Sequence, residues 1–179
     1  MKLDNIEKKI LSLYKKKNPS ISIDFKKKLK KISNIFFNKL CFPLDKFKTL
    51  YIGDFACGSG EYGIFYAKCG HKVDCYDFNK ISLIYANNLK KKLGLVNLNF
   101  YEKNFRHVKK SFDIVSCIAA LHHLKNPYKA ILNLSKNVKP GGYLILSFGL
   151  LTSNFQHNLM KLISRLWGAN ANLIYKNTF

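Results

Sequence analysis

The stretch YIGDFACGSGEYG, Tyr51 to Gly63, decides the fold of this chain. A short apolar run climbs to the carboxylate of Asp54, passes through small residues and glycines, and opens a new segment at Glu61. That is the pattern of a β-strand turning into a helix around a ligand, because glycines let the backbone approach a bound group and a helix N-terminus presents free N–H groups. Gly58-Ser59-Gly60-Glu61-Tyr62-Gly63 fits GxGxxG, and Asp77 lies 19 residues past Gly58, where an acid can bond ribose hydroxyls. Asp54 points away from a dinucleotide. A carboxylate in the last turn of the strand repels a pyrophosphate, so an anionic cofactor should avoid this loop and a cationic one should not.

Outward from this stretch, apolar runs at Leu50 to Ala56, Lys72 to Phe78, Leu95 to Tyr101, Phe112 to Ala119 and Tyr143 to Phe148 alternate with helical patterns. The helices are expected at Glu61 to Cys69, along Ile81, Tyr85, Leu89 and Leu93, and along Tyr128, Ile131, Leu132, Ser135 and Val138. The segment after Tyr101 is short and polar and receives no assignment. Strands separated by helix-length patterns imply right-handed βαβ crossovers and an α/β, doubly wound, mostly parallel Rossmann-like sheet with helices on both faces. Its ligand belongs at the carboxyl ends of the strands, where strand order reverses.

Residues 1–48 form a basic helical extension with 14 lysines against four acids, and residues 49–179 form the Rossmann-like domain. Leu3, Ile6, Ile10 and Leu13 make one apolar stripe, Asn18-Pro19-Ser20 interrupts it, and Phe25, Leu29, Ile32, Phe36 and Leu40 make a second, ended by Pro43. Aromatic stripes at this spacing are more often core, so packing on the following domain is favoured over a membrane-surface helix. A packed helix can still roof a site.

The whole chain carries a formal charge of +21, yet of its 31 basic residues only Arg106 and Arg165 are arginine. Lysine excess invites phosphate, but bidentate phosphate and base recognition prefers the arginine fork. The 47% hydrophobic composition can bury a core, and no apolar stretch approaches the length of a membrane span. The five cysteines show neither CxxC nor metal-ligand spacing and read as reduced thiols, so a cytoplasmic location is expected and no metal.

Asp54-Phe55-Ala56-Cys57-Gly58-Ser59-Gly60 resembles the first motif of the class I S-adenosylmethionine-dependent methyltransferases, with Ala56 in place of the first glycine. Phe112-Asp113-Ile114-Val115 resembles the family's fourth strand, Leu121-His122-His123-Leu124 the segment after it, and Lys139-Pro140-Gly141-Gly142-Tyr143 the turn into the fifth. The resemblance implies S-adenosyl-L-methionine as cofactor. It implies that the loop at Ala56, Cys57, Gly58 and Gly60 wraps the methionine part with Asp54 acting on its amino group, that Asp77 holds the ribose diol, and that Phe78 lies against the adenine. Asn104 or Glu102 is the candidate for the adenine amine, with Asn104 preferred, and Phe105 and Ile118 complete the lining.

From Thr49 onward there are six acids, and Asp54, Glu61, Asp77 and Asp113 all fall at or beside motif positions. Asp113 reads as structural, and Glu61 as either a helix N-terminal charge or a ligand. His122 and His123 are the candidate bases, since histidine titrates in the useful range. The family's Asn/Asp-Pro-Pro-Tyr/Phe signature for nitrogen acceptors is absent, as Ser116-Cys117-Ile118-Ala119 stands in its place.

A small-molecule acceptor is therefore expected. The alternatives are an RNA methyltransferase using the face of Lys26, Lys27, Lys28, Lys30 and Lys31, and a cofactor-binding protein without turnover. A nicotinamide oxidoreductase is the outside case. Beyond the fifth strand a helix is expected along Phe155, Leu159, Leu162, Ile163 and Leu166, followed by at most one short strand such as Asn172-Leu173-Ile174-Tyr175. The family completes its sheet there with an antiparallel pair, so an incomplete edge, covered in a homo-oligomer, is the expectation.

Overall fold

The computed structural model describes residue 8 and residues 25–40, 42–124, 126–147 and 172–174. The expected first helix, apart from residue 8, and the expected helix after the fifth strand lie outside the described residues. Six strands form one sheet: β1 (Tyr51–Phe55), β2 (Lys72–Asp77), β3 (Leu98–Glu102), β4 (Phe112–Ile118), β5 (Val138–Ser147) and β6 (Asn172–Ile174). Their spatial order is β3-β2-β1-β4-β5-β6, and every pairing among them is parallel. Strand order reverses between β1 and β4, which puts the switch point, and so the ligand cleft, beside the glycine loop.

The helices are α1 (Phe25–Asn34), α2 (Glu61–Lys68), α3 (Lys80–Lys92) and α4 (Pro127–Ser135). Alternation of side chains along each strand divides the core in two. On one face Ile52, Val73, Cys75, Leu98, Ile114 and Ile145 pack under α2; on the other Phe55, Tyr76, Phe112, Val115, Cys117 and Leu144 pack with Ile131 and Leu134 of α4.

The basic N-terminal segment joins the first of these cores. α1 buries Ile32 and runs into a π-helical turn, Ile35–Lys39, in which Leu40 N–H donates to the Ile35 carbonyl (2.9 Å). The widened turn turns both Phe36 and Phe37 toward Phe65, with ring centroids 5.3 and 6.1 Å apart, and buries Phe36 against Tyr66 as well. Full burial of such a ring contributes about 2–3 kcal/mol. His71 ties this segment to the sheet: one ring nitrogen meets the Leu44 carbonyl (3.0 Å) and Nδ1 accepts from the Leu50 N–H (3.3 Å).

The crossover from β3 to β4, unassigned from sequence, contains only a short 3-10 turn, Phe105–His107. Lys110 takes part in covering the sheet in its place. Its ammonium bonds the buried Asp74 carboxylate and sits 4.8 Å over the Tyr51 ring, while Asn99 and the Tyr51 and Tyr76 hydroxyls also donate to Asp74. Burial pushes the Asp74 pKa up, but these bonds outweigh it and hold it below the usual carboxylate value.

β5 begins five residues before the expected Tyr143, and its register against β4 shifts between Phe112 and Ile114. The irregularity is Lys139 to Gly142, with Gly141 at φ 74. Gly142 has no room for a side chain, since a Cβ would stand 2.7 Å from the Asp113 carbonyl. β6 lies directly along β5, with Asn172 opposite Tyr143, so the short final strand pairs parallel.

Candidate active site

Three residues of the loop between β1 and α2 adopt left-handed backbone: Ala56 (φ 56), Gly58 (φ 53) and Gly60 (φ 78). Gly60 N–H closes the turn onto the Cys57 carbonyl (2.9 Å), and Cys57 N–H reaches the Tyr76 carbonyl (3.2 Å). The two glycines differ in purpose. A Cβ on Gly60 would strike the Phe100 ring at 2.6 Å, so Gly60 lets the loop pack on its neighbours. A Cβ on Gly58 would meet nothing within 4 Å, so its bare backbone faces open space at the strand ends. Ala56 adopts the same left-handed conformation with a methyl group, at a cost of about 1–2 kcal/mol.

Asp77 ends β2 and organises the loop from the side. Its Oδ2 accepts from Gly58 N–H and its Oδ1 from Asn79 N–H, both at 2.8 Å, and the Asn79 side chain in turn caps α3. Burial raises the Asp77 pKa, and the Asn79, Gly58 and Phe78 N–H groups offset part of that rise. Each carboxylate oxygen can accept a second hydrogen bond, so Asp77 keeps acceptor capacity for a diol. Phe78, half-buried, follows it, and Glu102 on β3 stands in register with Asp77.

Asp54 is 2% exposed. Ser116, its register partner on β4, donates from Oγ to Asp54 Oδ1 (2.7 Å), while Oδ2 is buried with no hydrogen-bond partner among the described residues. Burial pushes the Asp54 pKa up to about 7, and the charges of Glu61 and Asp77 push the same way against the Ser116 bond and the Gly63 N–H. Three carboxylates thus converge on the loop, and among the described residues the cation paired with them is the exposed Lys28 of α1, 2.9 Å from Glu61 Oε1. An orphaned carboxylate oxygen in an acidic, solvent-poor setting favours a cationic guest and disfavours a pyrophosphate. The residues present fit the ammonium and sulfonium of S-adenosylmethionine.

The remaining sequence candidates are divided between the strand ends, the core and the far end of the sheet. Asn104 is buried and its Oδ1 accepts from Arg106 N–H (3.0 Å), which opens the 3-10 turn after β3; Phe105 is turned into the core with Val108. Ile118 ends β4, half-buried against the α2-side core, and Ala119 after it has φ 53. Leu121–His123 forms a 3-10 turn at that edge, with the His123 side chain exposed; the side chain of His122 lies outside the described residues. Asp113 stands apart from the cleft, accepting from Tyr51 N–H (2.8 Å) and pairing with Lys139 (2.8 Å). Sequence reasoning missed Ser116, whose one signal was a lone hydroxyl in the apolar run Phe112 to Ile118, and it missed the Lys28 contact with Glu61.

A parallel sheet with an acidic, glycine-walled cleft at its switch point defines a Rossmann-like domain for a cationic nucleoside cofactor. The family model described as a methyltransferase domain matches residues 47–173, and the chain belongs to this family as a class I, S-adenosylmethionine-dependent methyltransferase domain. Among curated relatives, the ubiquinone biosynthesis O-methyltransferase of Rickettsia conorii is 29% identical over 113 residues, covering 62% of this chain and 38% of the relative. The protein of the same name from Coxiella burnetii is 29% identical over 119 residues, covering 65% and 50%. The chain thus spans half or less of the length of these two relatives.

Solved structures agree on the fold. Magnesium protoporphyrin IX methyltransferase from Synechocystis PCC 6803, with bound SAH, superposes with a TM-score of 0.58 at 20% identity, covering 84% of this chain and 66% of that one. A putative S-adenosyl-L-methionine-dependent methyltransferase from Methanococcus maripaludis gives 0.61 at 14% identity, covering 92% and 74%. Among the described residues, no helix is long and apolar enough to cross a membrane.

Proposed function

We propose that this chain transfers a methyl group from S-adenosylmethionine to an oxygen atom of a small-molecule acceptor. The observation that carries the reading is the orphaned Asp54 carboxylate beside Glu61 and Asp77, a site built for positive charge. The bound cofactor supplies an activated methyl group, and in-line displacement then asks the protein for alignment and exclusion of water more than for strong acid-base groups. In this reading Asp54 attracts the cofactor's ammonium, Asp77 holds its ribose, the Gly58 backbone lies against it, and Asn104 or Glu102 meets the adenine edge.

The O-methyltransferase names of the curated relatives support an oxygen acceptor. The turn bearing His122 and His123 follows β4 at the cleft edge, where a base could take the proton that the acceptor hydroxyl loses. Free cysteines at positions 57, 69, 75 and 117 support a reducing, cytoplasmic setting.

Calorimetric titration with S-adenosylhomocysteine, with NAD as control, tests the cofactor assignment. Asp77→Asn should weaken binding by about 2 kcal/mol through loss of a charge-assisted ribose bond. Unchanged affinity in a folded Asp77→Asn chain would remove Asp77 from the site. Radiolabelled methyl transfer to phenols, aliphatic alcohols and carboxylates, with RNA alongside, tests the acceptor; label appearing on RNA alone would overturn the small-molecule assignment.

A further inference from the structure

Two buried polar atoms make no well-formed hydrogen bond among the described residues, Asp54 Oδ2 and Tyr66 Oη; the Gly63 N–H approaches the Asp54 carboxylate and the Ser116 hydroxyl approaches that of Tyr66. α2 crosses over β1 with Gly63 facing the sheet, where a Cβ would stand 3.6 Å from Asp54 Oδ2. Tyr66 lies three residues further along the same helix and therefore on the same face. Its ring is fully buried, held edge-on against Phe36 (5.6 Å) and tilted against Phe65 (5.8 Å), so its hydroxyl has little freedom to leave the core. From the other side Ser116 reaches up from β4 to Asp54 Oδ1.

Packing alone gives this hydroxyl no well-formed hydrogen bond, only the neighbouring Ser116 hydroxyl. A buried hydroxyl so placed is a cost, and phenylalanine would fill the same space without it.

Resting on the cofactor reading above, we propose that Tyr66 and Ser116 are positioning residues for Asp54: two hydroxyl donors that receive its carboxylate when it ionises to meet the cofactor's ammonium. Ser116 serves Oδ1. Tyr66 serves Oδ2, directly after a small rotation of Asp54 or through one buried water. Tyr66 stays a donor because burial pushes its own pKa well above that of an exposed tyrosine.

The other groups facing Asp54 are the Gly63 N–H, Glu61 and Tyr62 from α2, Cys57, Cys75 and Asp77 from the loop and β2, and Cys117 from β4. Those that ionise carry negative charge, and none of them helps a second carboxylate to ionise. Hydroxyl donation, beside the Gly63 N–H, is what the pocket offers instead, and it couples cofactor binding to release of a proton from Asp54.

The test is the titration of Asp54 in the ligand-free chain, followed through its carboxyl carbon by NMR and assigned by the signal lost in Asp54→Asn. Tyr66→Phe and Ser116→Ala should each move the midpoint upward by about one pH unit, the equivalent of a tenfold loss for the ionised form. At pH 6 both should weaken S-adenosylhomocysteine about tenfold, and the loss should shrink to about twofold at pH 8, where Asp54 ionises in the variants as well. If Tyr66→Phe folds and leaves the midpoint where it was, Tyr66 is only a packing residue and the proposal is overturned; if that variant does not fold, Ser116→Ala decides by the same shift. Failure of the wild-type chain to bind the sulfur ligands would strike the cofactor reading alone, because the titration of Asp54 needs no ligand and still tests Tyr66.

Discussion

Replacing Asp54 with asparagine should make the ligand-free protein more stable and its cofactor binding worse. The wild-type carboxyl rises from its ordinary value of 3.8 to about 7, so the folded chain holds this proton more tightly than the unfolded chain does. The associated stability is fully present below pH 3.8, is lost progressively as pH rises, and is gone once pH passes about 7. About three pH units at 1.36 kcal/mol each give a cost of about 4 kcal/mol for the ionised side chain at pH 8.

Asparagine keeps an oxygen for Ser116 and removes that cost, but it puts an amide group where Oδ2 lacks a partner, at about 1–3 kcal/mol. The net expectation is a gain of about 1–3 kcal/mol at pH 8, shrinking or reversing at pH 5. Urea unfolding of both proteins at the two pH values measures it, and the difference between them isolates this one group from the remaining carboxylates. S-adenosylhomocysteine affinity should fall at least tenfold in the same variant, since the attraction for the ammonium is gone. A variant no more stable than wild type at pH 8, with unaltered affinity, would refute the argument that Asp54 is a buried charge awaiting a cation.

Ala56→Gly should raise stability by about 0.5–1 kcal/mol, because relief of the left-handed strain exceeds the added flexibility of the unfolded chain; a lower melting temperature would contradict this. Lys110→Met should cost about 2 kcal/mol in urea unfolding by leaving the Asp74 carboxylate without its cation, less than for a fully buried pair because Lys110 is 46% exposed. Burial holds His71 below its ordinary pKa, so its contribution to stability is present above pH 6.5 and lost as pH falls. Melting curves between pH 7 and 5 should show this loss in the wild type and less of it in His71→Gln.

Periodicity and glycine placement carried the architecture. Every described strand overlaps its expected run, β1 to β4 to within three residues, because apolar runs bounded by turn residues are a local signal. The chain from Phe25 was legible as a packing helix for the same reason: the stripe of Ile32 and Phe36 is the face that now lies in the core. The turn from Lys139 to Gly142 could be placed, but its length as a bulge inside β5 could not, since a register shift depends on what β4 offers as partner.

The sequence by itself singled out the loop proposed to hold the cofactor and the acids beside it: Asp54, Glu61 and Asp77 stand at motif positions that a linear reading can see. Only the tertiary structure decided what each acid is free to do. Asp113 is committed to Tyr51 and Lys139, Asp77 is shared with the Gly58 and Asn79 amides, and Glu61 is tied to Lys28 from a helix 33 residues away. Asp54 keeps a buried oxygen without a well-formed hydrogen bond among the described residues, and so does the Tyr66 hydroxyl of α2. Burial and pairing are properties of neighbours brought together across the sheet, and a carboxylate's charge is set by those neighbours rather than by its place in the chain.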